Sequence, residues 1–194
     1  VAFQMDPIEG VNIDADSTFR LAEEAQARGH ELHVYTPDKL VWDNGQVVAR
    51  ARPVTVQRVK GDHVQFGEEQ VLDLGALDVV WLRQDPPFDM SYITTTHLLE
   101  LIHPKTLVVN DPFWVRNHPE KLLVLQFPDL TPPTMIARNL DDIRAFKARH
   151  GDIILKPLYG NGGAGVYRLD QNDRNLSSLY ELFTGMSREP MIVQ

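Results

Sequence analysis

Asp152-Ile-Ile-Leu-Lys-Pro-Leu-Tyr-Gly-Asn-Gly-Gly-Ala-Gly-Val166 is the stretch whose reading decides the fold. Ile153, Ile154 and Leu155 form an apolar run of the length of one buried strand. Lys156 follows on that strand, and Pro157, which has no N–H to donate, ends its pairing. Gly160, Asn161, Gly162, Gly163, Ala164 and Gly165 then make a turn, and Val166-Tyr-Arg-Leu169 reads as a returning strand. A loop this rich in glycine turns several backbone N–H groups toward one anion, and the lysine four residues upstream adds a mobile ammonium. Strand, lysine, glycine loop and strand together suit a polyphosphate. A loose hairpin with an exposed lysine is the bland alternative, although a lysine at the end of an apolar strand fits it poorly. No Gly-Lys-Ser/Thr occurs and no helix pattern follows the glycines directly, so this is not a Walker loop.

Working outward, residues 134–194 read as short strands alternating with two helices. Thr134 to Ala137 is a strand, and Asn139 to His150 is a helix with Leu140, Ile143 and Phe146 on its core face. A second helix runs from Asn175 to Met186, before a final strand-like run at Met191 to Gln194. Upstream, Pro119 to Phe127 reads as a short helix carrying Lys121, and Thr131-Pro-Pro133 as a link.

The first part of the chain has a different rhythm. Val1 to Met5, Glu31 to Tyr35, Leu77 to Leu82 and Thr106 to Asn110 are buried-type strands. Helices Ser17–Arg28 and Met90–His103 alternate with them, an order that implies a mainly parallel α/β sheet. Gly29 suits the end of the first helix. Val41-Trp-Asp-Asn-Gly-Gln-Val-Val48 carries an Asn-Gly turn between apolar flanks, a hairpin signal, and alternation continues through Phe66. These are antiparallel strands inserted into the α/β unit, and residues 41–72 show no chemistry of their own.

Polar groups collect where such a sheet places ligands, at the carboxyl ends of its strands. Asp6, Asn12, Asp14 and Ser17 follow the first strand, as ligand contacts or as turn and N-cap residues. Arg83 and Asp85 follow the third, ahead of Pro86-Pro87, which stiffens the exit. A fixed cation and carboxylate side by side suit a zwitterionic amino-acid group, and a surface ion pair is the alternative.

Composition narrows the classes. The charge is −8 over 194 residues, with no basic run, which argues against nucleic acid or an anionic membrane as partner. No cysteine is present, so disulfides and thiolate chemistry are excluded, and the seven histidines show no metal-ligand spacing. No apolar run reaches membrane-spanning length. Hydrophobic residues make up 43% of the chain, enough for one or two cores. A start at Val1 without Met and a stop within an apolar run predict a chain cut from a longer one.

Five segments carry a family resemblance: Met5-Asp-Pro-Ile-Glu-Gly-Val-Asn-Ile13, Arg83-Gln-Asp-Pro-Pro-Phe-Asp89, Val109-Asn-Asp-Pro112, Glu120-Lys-Leu122 and Ile154-Leu-Lys-Pro-Leu-Tyr-Gly-Asn-Gly-Gly163. Through them the whole chain resembles the ATP-grasp ligases, and the bacterial glutathione synthetases most closely. The resemblance implies a Rossmann-like pre-ATP-grasp domain over residues 1–118 and the α+β N-terminal lobe of an ATP-grasp domain over 119–194. It implies ATP-dependent ligation of γ-glutamylcysteine to glycine through an acyl phosphate. Other carboxylate–amine ligases of the superfamily, of the D-alanine–D-alanine ligase or protein glutamate ligase type, and a non-catalytic nucleotide-binding scaffold are the alternatives. By resemblance Lys121 and Lys156 contact the ATP phosphates, Gly160 to Gly165 fold over them, and Gln194 faces adenine. Asp6, Asn12, Ser17, Arg83 and Asp85 line the substrate side. ATP and Mg²⁺ are the implied cofactors, with the metal ligands beyond residue 194. The resemblance further implies a cytoplasmic homo-oligomer, a tetramer, without nucleic acid or membrane partners.

Overall fold

Ala2-Phe-Gln4 forms β1, buried on both faces, as the first strand of an α/β sheet must be. The computed structural model describes residues 1–194. Helix α1 (Ser17–Ala27) starts where the Asp16 carboxylate accepts the Phe19 N–H at 2.7 Å. It ends at Gly29, whose φ of 82° only glycine adopts freely. Strand β2 (Leu32–Tyr35) returns parallel to β1. Strand β7 (Val79–Leu82), helix α2 (Met90–Glu100) and strand β8 (Leu107–Val109) repeat the unit on the other side of β1.

The intervening strands are β3 (Leu40–Asp43), β4 (Gln46–Val56), β5 (Val64–Phe66) and β6 (Gln70–Asp73). Asn44 and Gly45, both with positive φ, close the β3–β4 hairpin where the Asn-Gly pair predicts it. The path through the sheet is β3-β4-β2-β1-β7-β8, with β5 and β6 also paired to β4. Strands β2, β1, β7 and β8 form the parallel part. The inserted strands join the same sheet through β4, which is long enough, at 11 residues, to pair antiparallel with four neighbours. Alternation along the strands splits the core: Ala2, Val80, Leu82 and Leu99 pack on one face, and Phe3, Phe19, Leu32 and Val54 on the other. A helix the sequence does not announce, α3 (Pro112–Asn117), follows β8.

The chain forms two compact units, Val1–Asn117 and His118–Gln194. In the second, α4 spans only Glu120–Leu123, and two 3₁₀ turns carry the chain to Leu130. The sequence predicts one helix through Phe127. Leu123, Leu125 and Phe127 are exposed, so no packed face sustains it, and Pro128 bars its continuation. Strands β9 (Met135–Ala137), β10 (Ile153–Pro157), β11 (Tyr167–Leu169) and β12 (Met191–Val193) make a wholly antiparallel sheet in the order β11-β10-β12-β9. Helices α5 (Leu140–His150) and α6 (Leu176–Met186) supply Ile143, Phe146 and Leu176 to its core, against Ile153, Leu155, Met191 and Val193. Asn139 caps α5, its side-chain oxygen accepting the N–H groups of Asp141 and Asp142. No helix in the chain is long and apolar enough to cross a membrane.

Candidate functional site

Each unit gathers its own polar groups. In the first, β1 runs through α1 to β2 on one side and β7 through α2 to β8 on the other. The connections diverge at the carboxyl ends of β1 and β7, the switch point at which open α/β sheets leave a crevice. Arg83 leaves β7 there. Its backbone N–H bonds the Gln4 carbonyl at 2.8 Å, extending the ladder by one residue. Its guanidinium donates to Thr18 Oγ1 at 3.0 Å and to Ser17 Oγ at 2.8 Å, in the first turn of α1. The Asp6 carboxylate accepts the Asp85 N–H at 2.6 Å, tying the exits of the two strands together.

The alternative ion pair between Arg83 and Asp85 is not formed. The guanidinium turns instead to the two α1 hydroxyls, and no cation pairs with the Asp85 carboxylate. Asp6, Ser17, Arg83 and Asp85 thus come together. Asn12 does not join them: its carbonyl accepts from Ala15 and Asp16, and its side chain from Asp14, in the turn that leads to the Asp16 cap. Asp14 pairs with Lys60 at 2.6 Å, whose hydrogen bond and charge hold its carboxyl below the usual range.

Three participants escape sequence reasoning. Thr18 reads as an ordinary helix residue, yet it receives Arg83. Tyr92 reads as part of the apolar face of α2. Burial pushes its phenol up, and Arg83 lowers it while Asp85 and Asp6 raise it, which puts the hydroxyl in the same electrostatic field. The third is His63, from the inserted strands in which no chemistry is legible. Its buried imidazole meets the Ile8 carbonyl at 2.7 Å and the Phe19 ring edge-on at 5.6 Å, bracing the loop after β1 against α1. No sequence signal marks it, since a lone histidine in a loop is commonplace.

In the second unit, register fixes which side chains share a face. Leu155 and Val193 point into the core, so their neighbours Lys156, Ile192 and Gln194 lie on the opposite face of the sheet. Gln194 exchanges backbone hydrogen bonds with Ile154, and its side-chain amide donates to Thr134 Oγ1 at 3.0 Å. That face therefore runs from a lysine past a buried isoleucine, 1% exposed, to an amide and a hydroxyl. Lys121 donates to the Pro157 carbonyl at 2.9 Å and to that of Gly160. Burial lowers its pKa first of all; Glu120 opposes that and the charge of Lys156 adds to it. The two ammonium groups are therefore close enough to repel one another. Lys156 forms no ion pair with any carboxylate.

The glycine loop matches this cationic corner. Gly162, Gly163 and Gly165 have φ of 58°, 76° and 71°. Gly160 is needed for space: a Cβ there would lie 2.5 Å from Pro157 Cγ. Two lysines without a nearby carboxylate beyond Glu120, and a loop built from left-handed backbone, suit a polyphosphate. Nowhere in the chain do three or more His, Asp or Glu side chains converge to hold a metal ion.

The architecture is that of the ATP-grasp ligases. A RimK domain protein ATP-grasp from Sphaerobacter thermophilus superposes on the whole chain with a TM-score of 0.60 at 19% identity, over 63% of its own length. The macrocyclase MdnC from Microcystis aeruginosa, solved with its precursor peptide, gives 0.59 at 16% identity over 64% of its length. Within that class the chain belongs to the prokaryotic glutathione synthetase family, whose N-terminal domain model matches residues 1–116 and whose ATP-grasp domain model matches residues 120–194. It is 60% identical over all 194 residues to the glutathione synthetase of Brucella melitensis biotype 1 and 56% identical to that of Agrobacterium fabrum. The chain spans 62% and 61% of the length of these two curated relatives.

Proposed function

We propose that the protein is a glutathione synthase, which ligates γ-glutamylcysteine to glycine with ATP and releases ADP and phosphate by way of an acyl phosphate. The observation that carries this reading is the 60% identity to a glutathione synthetase across both units of the chain. The geometry supports a division of labour. The first unit binds the dipeptide at the switch point, where Arg83, held by Ser17 and Thr18, meets a carboxylate and Asp6 or Asp85 meets an ammonium. The second unit binds ATP. Lys156 and Lys121 neutralise phosphate charge, the Gly160–Gly165 loop offers backbone N–H donors and excludes water, and Gln194 faces adenine.

Magnesium, bound with ATP, supplies further neutralisation of the transferred phosphoryl group. Lys156 contributes by holding the phosphoryl oxygens as charge builds on them. The protein acts in the cytoplasm as a homo-oligomer, a tetramer, on these small substrates, without nucleic acid or membrane partners.

The test is ADP release by the complete protein in a coupled assay. Release that requires both γ-glutamylcysteine and glycine supports the reading. Turnover with D-alanine or with glutamate and a protein tail instead would assign a different ligase, and nucleotide binding without turnover on any acceptor would assign a scaffold.

A further inference from the structure

Beside the loop after β1, the first unit forms an open cleft of about 190 Å³. Its walls come from the exits of β1 and β2, from β4, and from the segment around β5. Met5, Ile8, Val34 and Phe66 give it an apolar floor. Three cations, Lys39, Arg50 and Arg52, line it as well. Arg50 and Arg52 are two residues apart on one strand and so face the same side. Concave, mainly apolar walls with a few convergent charges are the usual make-up of a small-molecule site.

Of these cations only Lys39 meets a carboxylate. Arg50 makes no ion pair. Arg52 lies over the Phe66 ring at 4.0 Å and donates from Nε to the Gly67 carbonyl at 3.2 Å, which leaves its other N–H groups available. Lys39 faces Glu69 at 3.7 Å, too far for a hydrogen bond. Three carboxylates line it too: Glu69 opposite Lys39, Glu9, and Asp6, which already accepts from the Asp85 backbone. Formal charge in the lining therefore balances, and Arg50 and Arg52 are the two cations in it that no carboxylate meets.

We propose that this cleft is a second small-molecule site, for an amphipathic carboxylic acid of short-chain or single-ring size. The carboxylate meets Arg50 and Arg52, and the apolar body lies on Ile8, Val34 and Phe66. The volume sets the size, since it equals that of about six liquid waters. The loop Met5–Glu9 is the wall shared with the switch-point site, because Asp6 lines the cleft and also holds Asp85. An occupant therefore bears on the loop that positions Asp6.

The test uses 3-phenylpropionate and its uncharged isostere 3-phenylpropionamide, titrated into the chain and followed by ligand-observed NMR. The expected result is saturable binding of the acid, with the amide at least tenfold weaker. Arg50→Gln, at an exposed position, should weaken the acid about tenfold, and Arg50→Gln with Arg52→Gln further. Arg83→Gln should leave its affinity within twofold. Equal binding of acid and amide overturns the proposal, as does no saturable binding of either. An unchanged affinity in the Arg50→Gln, Arg52→Gln chain, or loss of binding in Arg83→Gln, places the probe elsewhere and overturns it too.

Discussion

Replacing Gly160 by alanine is a local test of how the glycine loop is built. The added Cβ would lie 2.5 Å from Pro157 Cγ and 3.3 Å from its Cβ. Carbon atoms prefer roughly 3.5–4.0 Å, so the loop must shift by about 1 Å. Pro157 cannot yield easily, because its ring fixes φ and its backbone is in register with Met191 on β12. Lys121, which donates to the carbonyls of both Pro157 and Gly160, resists the same movement. Gly160→Ala should therefore destabilise the second unit by about 1–3 kcal/mol, the usual range for overpacking. In a Pro157→Ala background the 2.5 Å clash with Cγ is gone and only the 3.3 Å approach to Cβ remains, so the same change should cost less, about 0.5–1 kcal/mol. The difference is the coupling that a double-mutant cycle measures. Amide hydrogen exchange over β10, β11 and β12 is the suitable assay, because Trp42, Trp81 and Trp114 all lie in the first unit and their fluorescence does not report on the second. Tryptophan emission should stay constant and serve as the control. Equal costs of Gly160→Ala in the two backgrounds would refute the packing argument.

Four further outcomes are expected. Lys156→Met in the complete protein should weaken ATP binding by about 1.5–3 kcal/mol, the worth of a charge-assisted contact, and isothermal titration that finds affinity unchanged would remove Lys156 from the phosphate site. Arg83→Ala should raise the apparent KM for γ-glutamylcysteine well above any change in that for ATP; an equal rise in both would make Arg83 structural. Tyr35→Phe should leave the melting temperature unchanged or raise it, because the buried Tyr35 hydroxyl has no protein partner and its removal relieves a desolvation cost. A clear fall in melting temperature would reveal a hydrogen bond there. Burial pushes the phenols of both Tyr35 and Tyr92 above the ordinary value of about 10. The fold then holds protons that the unfolded chain releases, so this stability is present below about pH 10 and is lost as pH rises past it. Phenolate absorbance should show two late-ionising groups, one fewer in Tyr35→Phe and in Tyr92→Phe, and early ionisation of either would contradict the burial.

What the sequence determined by itself is whatever contiguous residues encode. The apolar run through Leu155 followed by Lys156 and the glycines specifies strand, lysine and turn, because strand burial and positive φ are local demands. The Asn44-Gly45 hairpin and the Gly29 stop are legible for the same reason. The alternation of strands and helices also conveyed the α/β class of the first unit. Helix α4 was less legible, since its length depends on whether Leu123, Leu125 and Phe127 find a surface to pack on, and they do not.

The partners of the polar residues were decided only by the tertiary structure. Arg83 meets Ser17 across 66 positions, Asp85 meets Asp6 across 79, His63 meets Ile8 across 55 and Lys121 meets Gly160 across 39. Those meetings follow from strand order: placing β7 beside β1 brings the two carboxyl ends together, and nothing in either segment names its neighbour. The sequence left an ion pair between Arg83 and Asp85 open as the alternative, because they are two positions apart along the chain. Folding gave each a separate partner from the neighbouring strand or its helix, since the hydroxyls and carboxylate at the ends of α1 and β1 lie within hydrogen-bond reach once the strands are side by side.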